Sequence, residues 1–183
     1  GAGDKWPAAH YWYYFSLREC SKQVLQDAVK TLDFSDPCFV KAGEDVKTFL
    51  GTSPFQPNFL ATPGQTGAGS SAGLLANGKA AMELMGAWDG GVMQTLTPTQ
   101  KEPTFLGWFP FPKVPGAGGS QDTQMGGGDG FSCSKKAPPE CVEFLKYIVS
   151  PDVEKAFAAT GSGIPTVKGA EAGLSDPVLQ TIA

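Results

Sequence analysis

Glycine and proline interrupt this chain so often that most of its elements must be short: the 183 residues include 24 glycines and 15 prolines. Proline removes a backbone donor and fixes φ, and glycine inside a helix or strand carries an entropic cost. Aromatic and branched aliphatic residues are nevertheless spread along the whole length, which argues against disorder. The chain is therefore expected to fold into many short elements joined by tight loops around a buried core.

Charge and hydropathy exclude two kinds of partner. The formal net charge is −4, and Lys135-Lys136 is the only adjacent basic pair, so nucleic acid is not an expected partner. The longest apolar stretch, residues 73–88, contains two charged side chains and an amide, so it is not expected to cross a membrane. These residues also contain no pattern of a signal peptide.

The four cysteines form two couples that are local in sequence, Cys20 with Cys38 and Cys133 with Cys141. None belongs to a C-x-x-C motif, and the single histidine, His10, cannot complete a Cys/His zinc set. Two disulfides are the simplest interpretation, and they imply an oxidising compartment. The alternative is four buried, reduced thiols in a cytosolic protein. Neither a metal ion nor a cofactor is predicted.

Helix signals recur along the chain. Ser21 is a candidate N-cap, and Asp36-Pro37 combines a preferred N-cap with proline at the first helical position. Helices are predicted over residues 8–20, 22–32, 37–51, 70–77, from 89 onward, 138–149, 152–160 and from 177 onward. The apolar side of the helix over 138–149 is expected to comprise Val142, Phe144, Leu145, Ile148 and Val149.

Three short segments suit buried strands: residues 79–85, 105–111 and 131–134. Helices that alternate with short strands indicate an α/β architecture. The strand content is too sparse for a complete doubly wound sheet, so a helix-rich α/β fold is predicted.

Two glycine motifs near residue 70 are similar to nucleotide-binding and catalytic signatures. Residues 67–72 match G-x-G-x-x-A, but they follow a Pro/Gly/Thr loop and not the buried strand that a dinucleotide site requires. Residues 69–73 match the G-x-S-x-G elbow with Ser71 as nucleophile. The elbow places its histidine last in chain order, whereas His10 precedes Ser71. Both motifs are interpreted as a loop that enters a helix.

Residues 126–130 form a glycine-rich segment around Asp129. The segment lacks the Lys and Ser/Thr of a P-loop and the spaced acids of a calcium loop. Glycines permit large φ/ψ changes and a close approach of a ligand to the backbone. A hinge and a plain surface loop are equally compatible with this pattern.

Trp88 stands between Gly86-Ala87 and Asp89-Gly90-Gly91. An indole flanked by glycines and followed by a carboxylate is unusual in a core, whereas a loop can present it as a flat platform. Sugar rings have apolar C–H faces and polar edges, so they favour an aromatic plane with a carboxylate beside it. Most other aromatic residues are interpreted as core.

Four stretches follow one family pattern in the right order. Residues 75–88, LANGKAAMELMGAW, are similar to F/L-x-x-G-K-A-A-M-x-x-x-G-x-W, and residues 106–112 are similar to the strand and P-x-P that follow it. Residues 125–146 resemble a glycine-rich crossover and the K-x-A-P-E helix after it, and residues 150–165 resemble the S-P to G-x-x-P ending. On these residues the chain resembles the family 1 extracellular solute-binding proteins, the maltose-binding-protein-like receptors of ABC sugar importers.

The resemblance implies a periplasmic-binding-protein-like fold of type II, in which the ligand lies between two α/β lobes. This chain would supply one lobe and part of the other: residues 1–126 as a second-lobe portion, and residues 127–183 as the crossover and helices that pack on the first lobe. The expected function is non-catalytic binding of a mono- or oligosaccharide outside the cell. The expected partners are the membrane subunits of an ABC importer, with the full-length form anchored as a lipoprotein, and actinobacterial members are the most similar.

The resemblance also assigns site residues. Trp88 matches the family's sugar-stacking tryptophan. Asp89 and the 127–129 backbone match cleft or hinge positions, and the first turns of the chain lie near the segment that reaches the cleft. The expected ligand-binding residues are Trp88, Asp89, Gly127, Gly128, Asp129, Trp6 and His10.

Two alternatives remain open at this point. A glycan-active hydrolase would use paired carboxylates such as Asp89 and Asp129 as acid and base. An inactive structural fragment of a binding protein would have no activity, since half of the cleft would be absent. Such a fragment is expected to be prone to self-association.

Overall fold

A computed structural model describes residues 1–183, and the chain divides into two compact units. The first unit comprises residues 1–64 and 109–126, and the second comprises residues 65–108 and 127–183. Eight α-helices and one 3₁₀-helix provide the regular structure. None of these helices combines the length and the apolar character that crossing a bilayer requires.

Three helices build the first unit: α1 (Trp6–Glu19), α2 (Lys22–Thr31) and α3 (Pro37–Gly51). The predicted caps begin two of them. The Ser21 hydroxyl accepts a hydrogen bond from the backbone N–H of Val24, and the Asp36 carboxylate accepts one from that of Cys38. The predictions for these three helices are confirmed to within two residues at each end.

Helix α1 packs against α3 over a core formed by Cys20, Ala28 and Phe39. Trp12 packs on this core, and its indole Nε1 donates a hydrogen bond to the Phe39 carbonyl at 3.2 Å. The Cys20–Cys38 disulfide joins the end of α1 to the start of α3, with 5.2 Å between the two Cα atoms. This predicted disulfide is confirmed.

Arg18, near the end of α1, organises the coil over residues 109–126. Its side chain is fully buried. It donates hydrogen bonds of 2.8 to 3.1 Å to the backbone carbonyls of Phe111, Pro112, Ser120 and Thr123. Because a buried guanidinium needs acceptors for its five N–H groups, these carbonyls fix the path of the coil around the end of α1.

The second unit holds the remaining helices: α4 (Ser71–Ala76), α5 (Asp89–Leu96), α6 (Glu140–Ile148), α7 (Pro151–Ala158), a 3₁₀-helix (Ala170–Gly173) and α8 (Pro177–Ile182). Ser70 caps α4 and Asp176 caps α8 through their side chains. Helices α4 and α5 pack together through Ala72, Ala76 and Met93. A second cluster, in which Ala158, Leu174 and Leu179 are buried, joins α7, the 3₁₀-helix and α8.

No residue of the chain lies in a β-strand. The predicted strands over residues 79–85, 105–111 and 131–134 are therefore wrong for this structure. A strand is stable only when its backbone hydrogen-bonds to a neighbouring strand. In the first of these segments, backbone N–H groups bond to carbonyl groups close by in sequence instead. The N–H groups of Lys79 and Ala80 both donate to the Leu74 carbonyl at the end of α4. In the second segment Pro110 removes a donor. The architecture is helical, and the predicted α/β class is not confirmed.

Helix α6 forms where it was predicted, but its apolar side is not buried. Phe144 is 59% exposed and Val142 is 49% exposed, and no residue of the helix is fully buried. The Cys133–Cys141 disulfide, with 6.1 Å between the Cα atoms, ties the first turn of α6 to the coil that precedes it. This second predicted disulfide is confirmed, and the apolar side predicted for α6 is largely open to solvent.

Candidate functional site

Trp88 lies immediately before α5, and its side chain is 41% exposed. The indole lies over Gly86, so closely that a Cβ atom at residue 86 would overlap the six-membered ring. Glycine is therefore required at residue 86 for the ring to take this position. The tryptophan is supported by the backbone and remains partly open to solvent.

Asp89 is the first residue of α5, and it is 5% exposed. Its Oδ1 accepts a hydrogen bond from Gln65 Nε2 at 3.1 Å. Its Oδ2 is buried and accepts no hydrogen bond from the backbone or from an amide or hydroxyl group. An unpartnered polar atom in a protein interior costs free energy unless a ligand or a proton satisfies it.

Glu83 brings a second carboxyl group to Asp89. The Ser71 hydroxyl, at the start of α4, donates a short hydrogen bond to Glu83 Oε1. Glu83 Oε2 and Asp89 Oδ2 are both buried, and their only donor is the proton that one carboxyl group can give to the other. Two buried carboxyl groups thus lie together, each held through one oxygen by a neutral side chain.

The two carboxyl groups alter each other's protonation. Burial, and after it the charge of Asp89, raise the pKa of Glu83 to about 8, against the opposing hydrogen bond from Ser71. Burial also raises the pKa of Asp89, while hydrogen bonds from Gln65 and Glu83 oppose that rise. With its pKa at about 8, Glu83 holds a proton near neutral pH that it can donate to Asp89, although the positive charge of the chain's amino terminus also acts to lower that pKa.

The sequence that contains this carboxyl pair and the half-exposed Trp88 matches a known family. The family model described as bacterial extracellular solute-binding protein matches residues 1–155. The chain belongs to this family. A search among curated proteins finds no match to the sequence. Members of the family bind a solute outside the cell for transport and are generally non-catalytic.

In this solute-binding protein the other predicted site residues take no part in the hydrogen bonds of the Glu83–Asp89 pair. Gly127, Gly128 and Asp129 are in exposed coil of the second unit. Neither glycine has a positive φ, and a Cβ atom at either would meet nothing within 4 Å. The conformation seen here therefore does not require glycine at these two positions.

Trp6 and His10 lie in the first unit, on successive turns of α1. Their rings meet edge to face with 5.4 Å between centroids, and Trp6 is 39% exposed. Burial lowers the pKa of His10, so the imidazole is neutral at physiological pH.

Sequence analysis missed the roles of Glu83, Ser71 and Gln65. The available signal for Glu83 was a lone carboxylate inside the apolar run over residues 80–85. Ser71 drew attention only as a hydrolase nucleophile, and its hydroxyl in fact donates to Glu83. Gln65 belongs to a loop, and no local pattern indicates that its amide would hold Asp89.

Proposed function

We propose that this protein binds a carbohydrate outside the cell and delivers it to the membrane subunits of an ABC-type importer. The observation that supports this function is the half-exposed Trp88 indole, followed directly in sequence by Asp89, whose buried carboxyl group is paired with that of Glu83. An indole plane stacks on the C–H face of a sugar ring, and carboxyl oxygens accept hydrogen bonds from its hydroxyl groups. The apolar face and the polar hydroxyl groups of a sugar would thus each have a suitable partner in two residues that are adjacent in sequence.

The remaining sequence-based assignments belong to this proposal. Trp6 and His10 would contact the sugar or border its site, and the coil that contains Gly127, Gly128 and Asp129 would serve as a hinge or a further contact. Residues 1–126 would correspond to a second-lobe portion, and residues 127–183 to the crossover and its helices. A lipid anchor would hold the full-length receptor at the cell surface.

The carboxyl pair is unsuited to glycoside hydrolysis. A retaining glycosidase separates its two carboxyl groups by about 5 Å and an inverting one by more, so that a sugar carbon or a water fits between them. Glu83 and Asp89 instead hydrogen-bond each other, which leaves no such space. Incubation with oligosaccharides should therefore return them intact, and a released product would contradict the binding function.

Replacing Trp88 tests the proposal directly. We expect Trp88→Ala to weaken the binding of a recognised saccharide by about ten- to a hundredfold, because a broad apolar platform is lost. Trp88→Phe should recover part of that loss. Calorimetric titration against a panel of mono- and oligosaccharides measures the affinities, and thermal melts check the fold of each variant.

A matched control comes from the same unit. Trp108 is 44% exposed, close to the exposure of Trp88, but it is not next to the carboxyl pair in sequence. Trp108→Ala should leave affinity unchanged. Equal losses for both variants, or normal binding by Trp88→Ala with a much lower melting temperature, would show that Trp88 packs the protein and does not stack on a sugar.

A further inference from the structure

The two disulfides differ in how well the fold protects them. Cys20 is 1% exposed and belongs to the core of the first unit, and Cys38 and Trp12 pack against that core. Cys133 and Cys141 are half-buried, belong to none of the core clusters, and have exposed residues on either side in sequence. Because thiol–disulfide exchange requires a thiolate to reach a sulfur atom, a reductant in solution has readier access to Cys133–Cys141 in the folded protein.

Helix α6 has few other interactions that hold it in place. None of its residues is buried, and no side chain caps its first turn. Its ion pair between Lys146 and Glu143 lies at the surface, where such pairs add little stability. A helix of nine residues is marginal in water unless one of its faces is packed. The Cys133–Cys141 bond, which joins the first turn of α6 to the preceding coil, is therefore the main constraint on this helix.

We propose that Cys133–Cys141 is a redox-sensitive latch on α6, which a dithiol reductant opens while the first unit stays folded. Opening the latch releases α6 together with the coil over residues 127–134, because nothing else in the structure ties the start of the helix to that coil as firmly. The order of this part of the second unit then follows the thiol–disulfide balance of the surroundings. This inference does not depend on which solute the protein binds.

The latch opens by two thiol–disulfide exchange steps. One thiolate of the dithiol attacks a sulfur of Cys133–Cys141, which forms a mixed disulfide and releases the other cysteine with the electron pair of the broken S–S bond. The second thiolate of the dithiol then attacks the mixed disulfide, releases the remaining cysteine and closes the reductant's own disulfide. Two electrons pass from the dithiol to the protein, and the two released thiolates take up the two protons that the dithiol loses. A small-molecule disulfide closes the latch by the reverse steps.

Timed reduction of the full chain tests the access of the two bonds, with Cys20–Cys38 as the internal comparison. The native protein is treated with dithiothreitol, free thiols are alkylated at intervals, and mass spectrometry assigns the alkylated cysteines. Cys133 and Cys141 should be labelled about tenfold or more faster than Cys20 and Cys38, because only the latter pair packs in a core. Equal rates, or resistance of both bonds until a denaturant is added, would overturn the proposal.

Amide hydrogen exchange at low protein concentration shows what the open latch releases. After selective reduction, the amides of α6 should exchange about tenfold or more faster, whereas those of α1 and α3 should stay protected. Oxidised glutathione should restore the protection of α6.

The double variant Cys133→Ser/Cys141→Ser separates loss of the bond from other effects of the reductant. Its α6 amides should exchange as fast as those of the reduced protein, and dithiothreitol should not accelerate them further. Unchanged α6 exchange in the reduced protein or in this variant would overturn the proposal. Loss of protection in α1 and α3 along with α6 would overturn it too, because reduction would then unfold the whole chain.

Discussion

Glu83 and Asp89 place their carboxyl groups in the interior, where desolvation makes the charged form costly. Burial raises the pKa of both, so the folded state holds a proton that the unfolded chain has released. Sites that carry such a cost in stability are frequently binding or catalytic sites, because the unsatisfied groups are the ones that a ligand completes. At the residue scale, the same two buried carboxyl groups lower the stability of the folded state and provide the acceptors that the proposed function uses.

The raised pKa of Glu83 predicts how stability depends on pH. Between its ordinary value of 4.5 and about 8 the folded protein binds more protons at this residue than the unfolded chain, so stability falls as pH rises through this window. Glu83→Gln should remove that part of the dependence, with a slope of at most about 1.4 kcal/mol per pH unit. Urea denaturation at pH 5 and pH 8 measures it.

The control for this prediction is Glu140→Gln, which changes an exposed glutamate at the start of α6. Because it leaves the buried pair intact, the fall in stability from pH 5 to pH 8 should match that of the wild type. A wild-type protein whose stability rises over this window, relative to Glu83→Gln, would contradict the protonation assigned to the pair.

At the scale of elements, burial varies widely among helices that the sequence predicts equally well. Helices α1 and α3 share a core and a disulfide, and α8 buries Leu179 to 2% exposure. Helix α6 has a comparable apolar pattern, yet Phe144 lies 59% exposed. Helical periodicity indicates which residues share a face, but the presence of a packing partner decides whether that face is buried.

This difference predicts unequal costs for truncation. Leu179→Ala should lower the free energy of unfolding by about 2–5 kcal/mol, because it leaves a cavity in a closed cluster. Phe144→Ala should lower it by less than about 1 kcal/mol, since most of the ring is already in water. Leu145, which is half-buried, should give an intermediate value. Denaturant titration of the three variants ranks them, and an equal loss for Phe144→Ala and Leu179→Ala would show that α6 is packed in solution.

At the scale of the whole molecule, the chain forms two units with separate cores. The segment over residues 65–108 belongs with residues 127–183, and the coil over residues 109–126 belongs with residues 1–64. The chain crosses between the two units at residues 64/65, 108/109 and 126/127. The assignment of either part to a particular lobe remains a prediction.

The exposed apolar side of α6 predicts self-association. Val142, Phe144, Tyr147 and Val149 are each about half exposed or more, and Phe131 nearby in sequence is 74% exposed. Apolar surface of this kind is removed from water when two copies meet. Light scattering over a dilution series should show oligomers that dissociate on dilution, and Phe144→Lys should shift the protein toward monomer.

Leu60→Lys provides the comparison, because Leu60 is 72% exposed but belongs to the first unit. This change should leave the association constant within about twofold of the wild type. A strict monomer at every concentration, or an equal effect of the two lysine substitutions, would contradict association through α6.

The amino-acid sequence by itself determined the features that depend on neighbours along the chain. Caps such as Ser21 and Asp36 act within three residues, so helix starts were predicted closely. The two disulfides join cysteines 18 and 8 residues apart, within the reach of local pairing. The block over residues 75–88, which ends at Trp88, indicated the solute-binding family that the family match over residues 1–155 then showed.

Only the tertiary structure decided which distant groups meet. A strand needs a second strand to pair with, and a local sequence pattern does not show whether one is present. The residues of the three predicted strands therefore could not show whether these strands would form. Glu83 meets Ser71 and Asp89, and Asp89 in turn accepts a hydrogen bond from Gln65. Arg18 finds its acceptors more than ninety residues away. Burial and charge pairing depend on distances in space, and in this chain those distances are set by loops without regular structure. The carboxyl pair could therefore be recognised only in the folded chain.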